Sequence, residues 1–240
     1  MAEDIKIQIG RNVKKVQERI EKAAIRAGRD PGEIDLVAVT KQKSAVVVKA
    51  LIDCGIKRIG ESYLKEALFK IDLLRDFPIE WHMIGNIQNG KEKKIAQAFS
   101  CVHSVGEFRT AVELNKYAGK MDKTLPVYLE MNVSGQDTKG GWLAVDHENW
   151  EDLLPEISKV LELANISVVG LMTMAPYSVT PEDSRPYFNR LRKIREFLGE
   201  QLPKGRIAGL SMGMSGDFEV AIEEGATILR IGSALVGPRD

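Results

Sequence analysis

Lys41 stands directly after the apolar, β-branched run Leu36-Val37-Ala38-Val39-Thr40. A lysine at the end of a buried strand is partly desolvated, which favours its neutral amine, and a neutral amine attacks aldehydes. Taken alone, the position suits a solvated loop lysine better. Two other stretches invite an anion. Ser211-Met212-Gly213-Met214-Ser215-Gly216-Asp217 leads into the helical pattern Phe218–Gly225, and Arg230-Ile231-Gly232-Ser233-Ala234 follows it. Glycines let backbone N–H groups close on an oxyanion, while serine hydroxyls and helix starts add donors. Either loop alone reads as ordinary turn chemistry, but the two together favour a phosphate. Arg230 itself lies inside an apolar run, where a permanent charge needs an anion or a carboxylate partner.

Other candidates carry less. Gly85-Asn86-Ile87-Gln88-Asn89-Gly90-Lys91 has the spacing of a P-loop, but Glu92 stands where the magnesium-binding Ser or Thr belongs. It reads as a glycine turn between strand and helix. Glu61 and Glu130, at apparent strand ends, could serve a phosphosugar isomerase, although salt bridges are the plainer role. His82, His103 and His147 fall in different elements, and Cys54 and Cys101 form no CxxC pair. A zinc site therefore has little support, and the cysteines read as small buried hydrophobes.

These residues need a scaffold that brings strand ends together. The chain opens with an amphipathic helix, its stripe formed by Ile5, Ile9, Val13, Val16, Ile20, Ala24 and Ala27, and stopped by Gly28 and Asp30-Pro31-Gly32. Eight short apolar runs follow: Ile34–Thr40, Lys57–Gly60, Glu80–Ile84, Cys101–Ser104, Leu125–Val133, Ser167–Thr173, Arg206–Ser211 and Thr227–Ile231. Helical stretches separate them. One is Ala45–Cys54, with Ser44 as N-cap and Gly55 beyond its end; another opens at Ser184-Arg185-Pro186 with Tyr187, Leu191, Ile194 and Leu198 on one face. Eight strand-helix units in a chain of 240 residues predict a single (β/α)₈ TIM-type barrel over residues 1–240, with residues 1–28 as an extra N-terminal helix packed on it. A doubly wound open sheet is the main rival, because strand order is not written in the sequence. In a barrel, the loops after the seventh and eighth strands are the usual phosphate site.

Composition narrows the function classes. The chain is 44% hydrophobic, enough for a sizeable core, and its 34 basic residues balance 34 acidic ones. No basic excess or stripe points to nucleic acid. The charged start MAEDIKIQIGRNVKK is no secretory signal, and no apolar run of membrane-spanning length occurs. A cytoplasmic protein is expected.

At the loops the sequence becomes specific. It closely resembles the pyridoxal phosphate homeostasis protein family, also called the YggS or PROSC family, from about Ile34 to the end. The matches keep the family's order: VAVTK (Val37–Lys41), IGESYLKEA (Ile59–Ala67), WHMIGNIQNGK (Trp81–Lys91), NVSGQDTKGG (Asn132–Gly141), GLMTMAP (Gly170–Pro176), LSMGMSGD (Leu210–Asp217) and RIGSALVG (Arg230–Gly237). The resemblance implies the barrel of fold-type III enzymes using pyridoxal 5'-phosphate (PLP), similar to the N-terminal domain of alanine racemase. It implies Lys41 as the Schiff-base lysine. Ser211, the backbone of Met212 and Gly213, Gly232 and Ser233 become the phosphate cradle, and Arg230 approaches the pyridine nitrogen. Ser62 is expected near the cofactor ring, and His82 and Met172 in the pocket walls. Two departures stand out: Ser62 replaces the family's usual Asn, and Asn86–Lys91 replaces its usual Pro-Leu-Gln-Ser-Asn-Lys.

The resemblance also implies a role in vitamin B6 homeostasis. An arginine cannot accept a proton from the ring, so it weakens PLP as an electron sink. Racemases of this fold add a second domain, for which the chain, ending at Asp240, leaves no room. The expectation is a monomeric PLP carrier or buffer with no catalytic residue and no metal, meeting apo-enzymes transiently. A weakly active PLP-dependent racemase or lyase, or a Schiff-base aldolase on a phosphorylated substrate, are the alternatives.

Overall fold

The computed structural model describes residues 2–177, 180–202 and 207–238. Helix α1 (Ala2–Arg26) buries Ile9, Val13, Val16, Ile20 and Ala24 of the expected stripe, together with Ala23; Ile5 is half-buried, and Ala27, also half-buried, lies just past the helix. Gly28, with φ 69°, turns the chain out of the helix in a conformation that a Cβ would strain. The helix is then tied to the far end of the chain. Asn12 Nδ2 donates to the Leu235 carbonyl at 2.9 Å, and Arg29 Nη1 donates to the carbonyls of Ile222 and Ala226 at 2.9 and 2.7 Å.

The strands are β1 (Asp35–Val39), β2 (Arg58–Glu61), β3 (Glu80–Met83), β4 (Cys101–Val105), β5 (Leu125–Asn132), β6 (Trp142–Leu143), β7 (Ile166–Met172), β8 (Gly209–Ser211) and β9 (Ile228–Ile231). All pairings are parallel, in the order β4-β3-β2-β1-β9-β8-β7-β5, and β4 pairs again with β5. That last pairing closes the ring, so the sheet is a barrel and the open doubly wound alternative is excluded. The two-residue strand β6 pairs only with β5 and is an addition the sequence pattern did not announce. Helices α2 (Ala45–Asp53), α3 (Leu64–Leu73), α4 (Glu92–Ala98), α5 (Phe108–Gly119), α6 (Leu154–Leu161), α7 (Arg185–Gln201), α8 (Phe218–Glu223) and α9 (Ser233–Val236) follow their strands.

The differences from expectation are local. The second strand runs one residue further, so Glu61 is a strand residue, fully buried, and not the start of a loop. Ser44 sits at the N-cap of α2 but its hydroxyl makes no capping hydrogen bond. In α7 the buried face is Phe188, Leu191, Ile194 and Leu198, while Tyr187 is only half-buried. Phe188 keeps the three- and four-residue steps of that face, so the ring without a hydroxyl takes the core place. Arg206, the first residue of the expected seventh run, lies outside the described residues.

Two cores result. The large one fills the space between strands and helices and includes Leu51, Ile59, Phe99, Leu129, Ile157, Phe188 and Phe218. A small one, Val37, Cys101, Tyr128, Met172 and Ile228, lies on the inner face of the strands. Along β9 the alternation is plain: Leu229 and Ile231 join the outer core, while Ile228 and Arg230 turn inward. Above the small apolar plug the barrel interior is polar.

Candidate functional site

A cavity of about 750 Å³ opens at the C-terminal ends of the strands. That volume suits a cofactor-sized ligand. Lys41, Lys43, Ser62, Arg230, Gly232 and Ser233 line it, together with Val39, Ile84, Met174, Tyr177 and the loop Met214–Asp217.

Lys41 is placed by the turn that ends β1. Thr40 N donates to the Gly60 carbonyl at 3.0 Å and Lys43 N to the Thr40 carbonyl at 3.0 Å, with Gln42 at φ 64°. A buried ionic cluster holds this turn from behind. Lys70 Nζ donates to the Thr40 carbonyl (2.7 Å), Glu61 Oε1 (2.7 Å) and Glu66 Oε1 (2.6 Å). Thr40 Oγ1 donates to Glu61 Oε1 at 2.5 Å, and Gln42 N donates to Glu66 Oε1 at 2.7 Å. Lys70 and Glu66 therefore fix the backbone on either side of Lys41, and Glu61 holds the Thr40 side chain and Lys70. Burial raises the Glu61 carboxyl above its ordinary range, opposed by the hydrogen bonds from Lys70 and Thr40. Its Oε2 has no hydrogen-bond partner. Glu61 thus serves a salt bridge and not the cavity.

The two Gly/Ser loops are joined to each other. Ser215 Oγ accepts from Gly232 N (3.2 Å) and Ala234 N (3.1 Å), which leaves its own O–H able to donate to an anion. Arg230 N donates to the Gly213 carbonyl at 3.0 Å. Gly213 has φ 92°, and a Cβ there would lie 2.6 Å from Ala221 Cβ, so only glycine fits. Asp217, the only carboxylate on the cavity wall among the described residues, has both oxygens engaged. Oδ1 accepts from Met214 N at 2.6 Å and Oδ2 from Ser184 Oγ at 3.0 Å. With Lys41, Lys43 and Arg230 on the same wall, the cavity is cationic.

Five of the expected site residues lie elsewhere. Ser211 is wholly buried, and its Oγ accepts from Arg230 Nη1 at 2.5 Å and lies 2.8 Å from His103 Nδ1. Met212 packs in the outer core and Gly213 faces Ala221. Met172 belongs to the inner plug, and Met174, two residues on, reaches the cavity. His82 lies inside the barrel, with Nδ1 2.8 Å from His103 Nε2. The serine of the first loop that borders the cavity is Ser215, not Ser211.

Arg230 is buried, and its Nη2 donates to the Thr173 carbonyl at 2.8 Å. Burial lowers the guanidinium to about 10, with Glu130, Asp217 and Tyr128 opposing, so it stays charged at neutral pH. Burial also pushes the His82 imidazole down to about 4 and the Cys101 thiol up to about 12. His103 falls well below its ordinary value through burial, with His82 and Arg230 adding to it. The nitrogen atoms of His82 and His103 and the Cys101 sulfur all lie within 4.8 Å of one another. Separation along the sequence conceals this grouping, because adjacent parallel strands set His82 opposite Cys101. Glu130 is buried with its carboxyl raised by burial, opposed by Arg230 and Lys139. Sequence reasoning missed Ser215, Thr173 and His103 as neighbours of the site. A period-two reading from Cys101 would have turned His103 inward, but nothing along the chain joins it to Ser211.

The closed parallel barrel agrees with the profile of the alanine racemase N-terminal domain family, which residues 8–240 match. A pyridoxal phosphate homeostasis protein of Aquifex aeolicus is 43% identical over 225 residues, spanning 94% of this chain and 96% of that protein. The chain belongs to the pyridoxal phosphate homeostasis protein family. The Escherichia coli K12 protein of that description is 33% identical, over 97% of each chain. PipY of Synechococcus elongatus PCC7942, whose structure was solved with PLP bound, matches with TM-score 0.82 at 28% identity, covering 96% of this chain and 100% of PipY. Alanine racemase of Clostridium difficile 630 shares the fold, with TM-score 0.72 at 16% identity over 56% of its length. Among the described residues, no helix is long and apolar enough to cross a membrane.

Proposed function

We propose that this chain binds PLP in the C-terminal cavity, anchors it as a Schiff base on Lys41, and serves intracellular PLP homeostasis as a carrier or buffer. One observation carries the reading: Lys41, Arg230 and the interlocked Ser215–Gly232–Ser233 region border a single cationic cavity of cofactor size. The donor set fits a phosphorylated pyridine aldehyde. Ser215 Oγ, Ser233 and the backbone of Gly216 would take the phosphate, with the Gly232 N–H holding Ser215 Oγ in place, and Ser62 would lie beside the ring. Bound PLP supplies the electrophilic aldehyde; Lys41 supplies the amine, and its condensation with the aldehyde releases water. Arg230 offers only donors, so it keeps a facing ring nitrogen unprotonated.

An unprotonated ring is a weaker electron sink, which favours holding the cofactor over amino-acid turnover. The name given to relatives that match over nearly their whole length supports the same choice. The likeness to alanine racemase keeps weak racemase or lyase activity as the second reading. A monomer in the cytoplasm, passing PLP transiently to apo-enzymes, completes the proposal.

The test is the visible absorption spectrum with PLP, before and after borohydride, for the wild type and Lys41→Ala. A band that borohydride fixes onto the peptide containing Lys41, absent in the variant, is the expected result. An unchanged band in Lys41→Ala overturns the anchor. Rapid exchange of the α-proton of added amino acids in deuterium oxide would overturn the carrier assignment.

A further inference from the structure

Beneath the cavity, four side chains from four strands form one line of hydrogen bonds across the barrel interior. Arg230 on β9 meets Ser211 on β8 at 2.5 Å; Ser211 meets His103 on β4 at 2.8 Å; His103 meets His82 on β3 at 2.8 Å. In the ring of strands β9 and β8 lie opposite β4 and β3, so the line spans the lumen. All four residues are buried.

The order of protons along this line follows from one end. A guanidinium has donors only, so Ser211 Oγ accepts from Arg230 Nη1. Were Ser211 Oγ to accept from His103 as well, its own buried O–H would have no acceptor, so the serine proton goes to His103 Nδ1, which is then unprotonated. His103 is therefore neutral with its proton on Nε2, and it donates to His82 Nδ1. His82 in turn carries its proton on Nε2, 3.8 Å from Glu80 Oε2 at the other end of β3. The depressed titration of both imidazoles agrees with two neutral rings. Because Arg230 cannot accept a proton at neutral pH, the line is a fixed support and not a conduit for protons.

We propose that Ser211, His103 and His82 are positioning residues for Arg230: a strut with one allowed set of tautomers that aims the remaining guanidinium donors at the cavity. Thr173 fixes the other arm through its carbonyl. Ser211 thereby leaves the phosphate cradle and joins the support of the ring-facing group. The consequence for a bound pyridine nitrogen rests on the PLP reading above, whereas the proton order does not.

A metal at His82, Cys101 and His103 is the competing use of these residues. Two imidazole nitrogens on one zinc ion, each about 2.0–2.1 Å from it, sit roughly 3.3 Å apart in a tetrahedral site. The 2.8 Å between His82 and His103 is a hydrogen-bond distance instead.

Long-range ¹H–¹⁵N spectra of the ligand-free protein at neutral pH test the strut directly, with exposed His147 as internal reference. His82 and His103 are expected as neutral rings protonated at Nε2. A major Nδ1-protonated form of either ring, or a charged ring, overturns the proposal. So does tight binding of zinc that shifts both rings. In Ser211→Ala, shown folded by circular dichroism, the His103 signals are expected to move towards mixed tautomers while those of His147 stay in place. The same variant is expected to bind inorganic phosphate unchanged, yet to lose about tenfold in PLP affinity with a shifted absorption maximum. Loss of phosphate binding would return Ser211 to the cradle and sink the strut. Ser211→Thr, which keeps the hydroxyl, is expected to restore the His103 tautomer. If wild-type tautomers are as stated but no PLP band forms, the strut stands and the cofactor reading fails.

Discussion

Two buried polar groups support Lys41 and Arg230, two of the basic residues on the cavity wall, and they do so by different physics. Behind Lys41, the cluster Lys70–Glu61–Glu66 is ionic and acts on the backbone of Thr40 and Gln42. Below Arg230, the line Ser211–His103–His82 is neutral and acts on the guanidinium itself. The contrast suits the tasks. In the proposed reading Lys41 reacts through its amine, and the cluster fixes its turn through the neighbouring peptide groups of Thr40 and Gln42. An arginine that only orients can be held by its own head group. The ionic cluster carries a large desolvation cost that its internal attraction must offset, while the neutral line carries a smaller one.

Four measurements sharpen or break this contrast. The largest effect is expected for Lys70→Met, which leaves buried Glu61 without its cation. Urea unfolding should show a loss of about 3–5 kcal/mol. A loss below about 1 kcal/mol would mean that the cluster is no more costly to break than a surface pair.

Acid titration of stability comes next. Burial holds His82 at about 4 when folded, against an ordinary 6.5 when unfolded. The unfolded chain binds the proton first, so stability is complete above about 6.5 and is lost as pH falls towards 4. The contribution of His82 is on the order of 3 kcal/mol. His103 adds in the same direction. Glu61 has the opposite sign: its folded carboxyl is raised above 4.5, so its contribution falls as pH rises through and beyond that value. His82→Gln should flatten the acid limb between pH 6.5 and 4. An acid limb unchanged in that variant would remove His82 as its cause.

A smaller loss, about 1–3 kcal/mol, is expected for His103→Leu, because the partners it leaves unpaired are neutral. If His103→Leu cost as much as Lys70→Met, the neutral-versus-ionic distinction would fail. The smallest effect is expected for Ser215→Ala. Chemical stability should change little, while inorganic phosphate and PLP should each bind about tenfold more weakly. Calorimetric titration checks both, and unchanged affinity would exclude Ser215 from the anion site.

Much of the scaffold was legible along the chain. The β-branched runs gave seven barrel strands within a residue of their observed ends and an eighth, Arg206–Ser211, of which only Gly209–Ser211 is strand, while the three- and four-residue steps of Ile9, Val13, Val16 and Ile20 gave α1. Lys41 and the two loops could be marked because strand-end position and Gly/Ser content are local properties. Less legible was the facing of residues where a strand gives way to a loop. In Ser211–Ser215 the two-residue alternation ends within the segment, so composition alone could not choose which serine meets the cavity. Met172 and Met174 show the same ambiguity. Strand β6 has no signal of its own beyond Trp142-Leu143, since it forms by pairing with β5.

The amino-acid sequence by itself determined the alternation of strands and helices, and it marked Lys41, Arg230 and the two Gly/Ser loops as candidates for the site. It also carried the ordered motifs that place the chain in its family. Only the tertiary structure decided that the sheet closes. Closure brings His103 to Ser211 across 108 residues of chain, and the packing of neighbouring units sets Lys70 beneath a turn 30 residues upstream. Those contacts run between strands on opposite sides of a lumen or between neighbouring strand-helix units. A pattern along the chain encodes which face a residue takes, whereas the partner on that face exists only once the ring is complete.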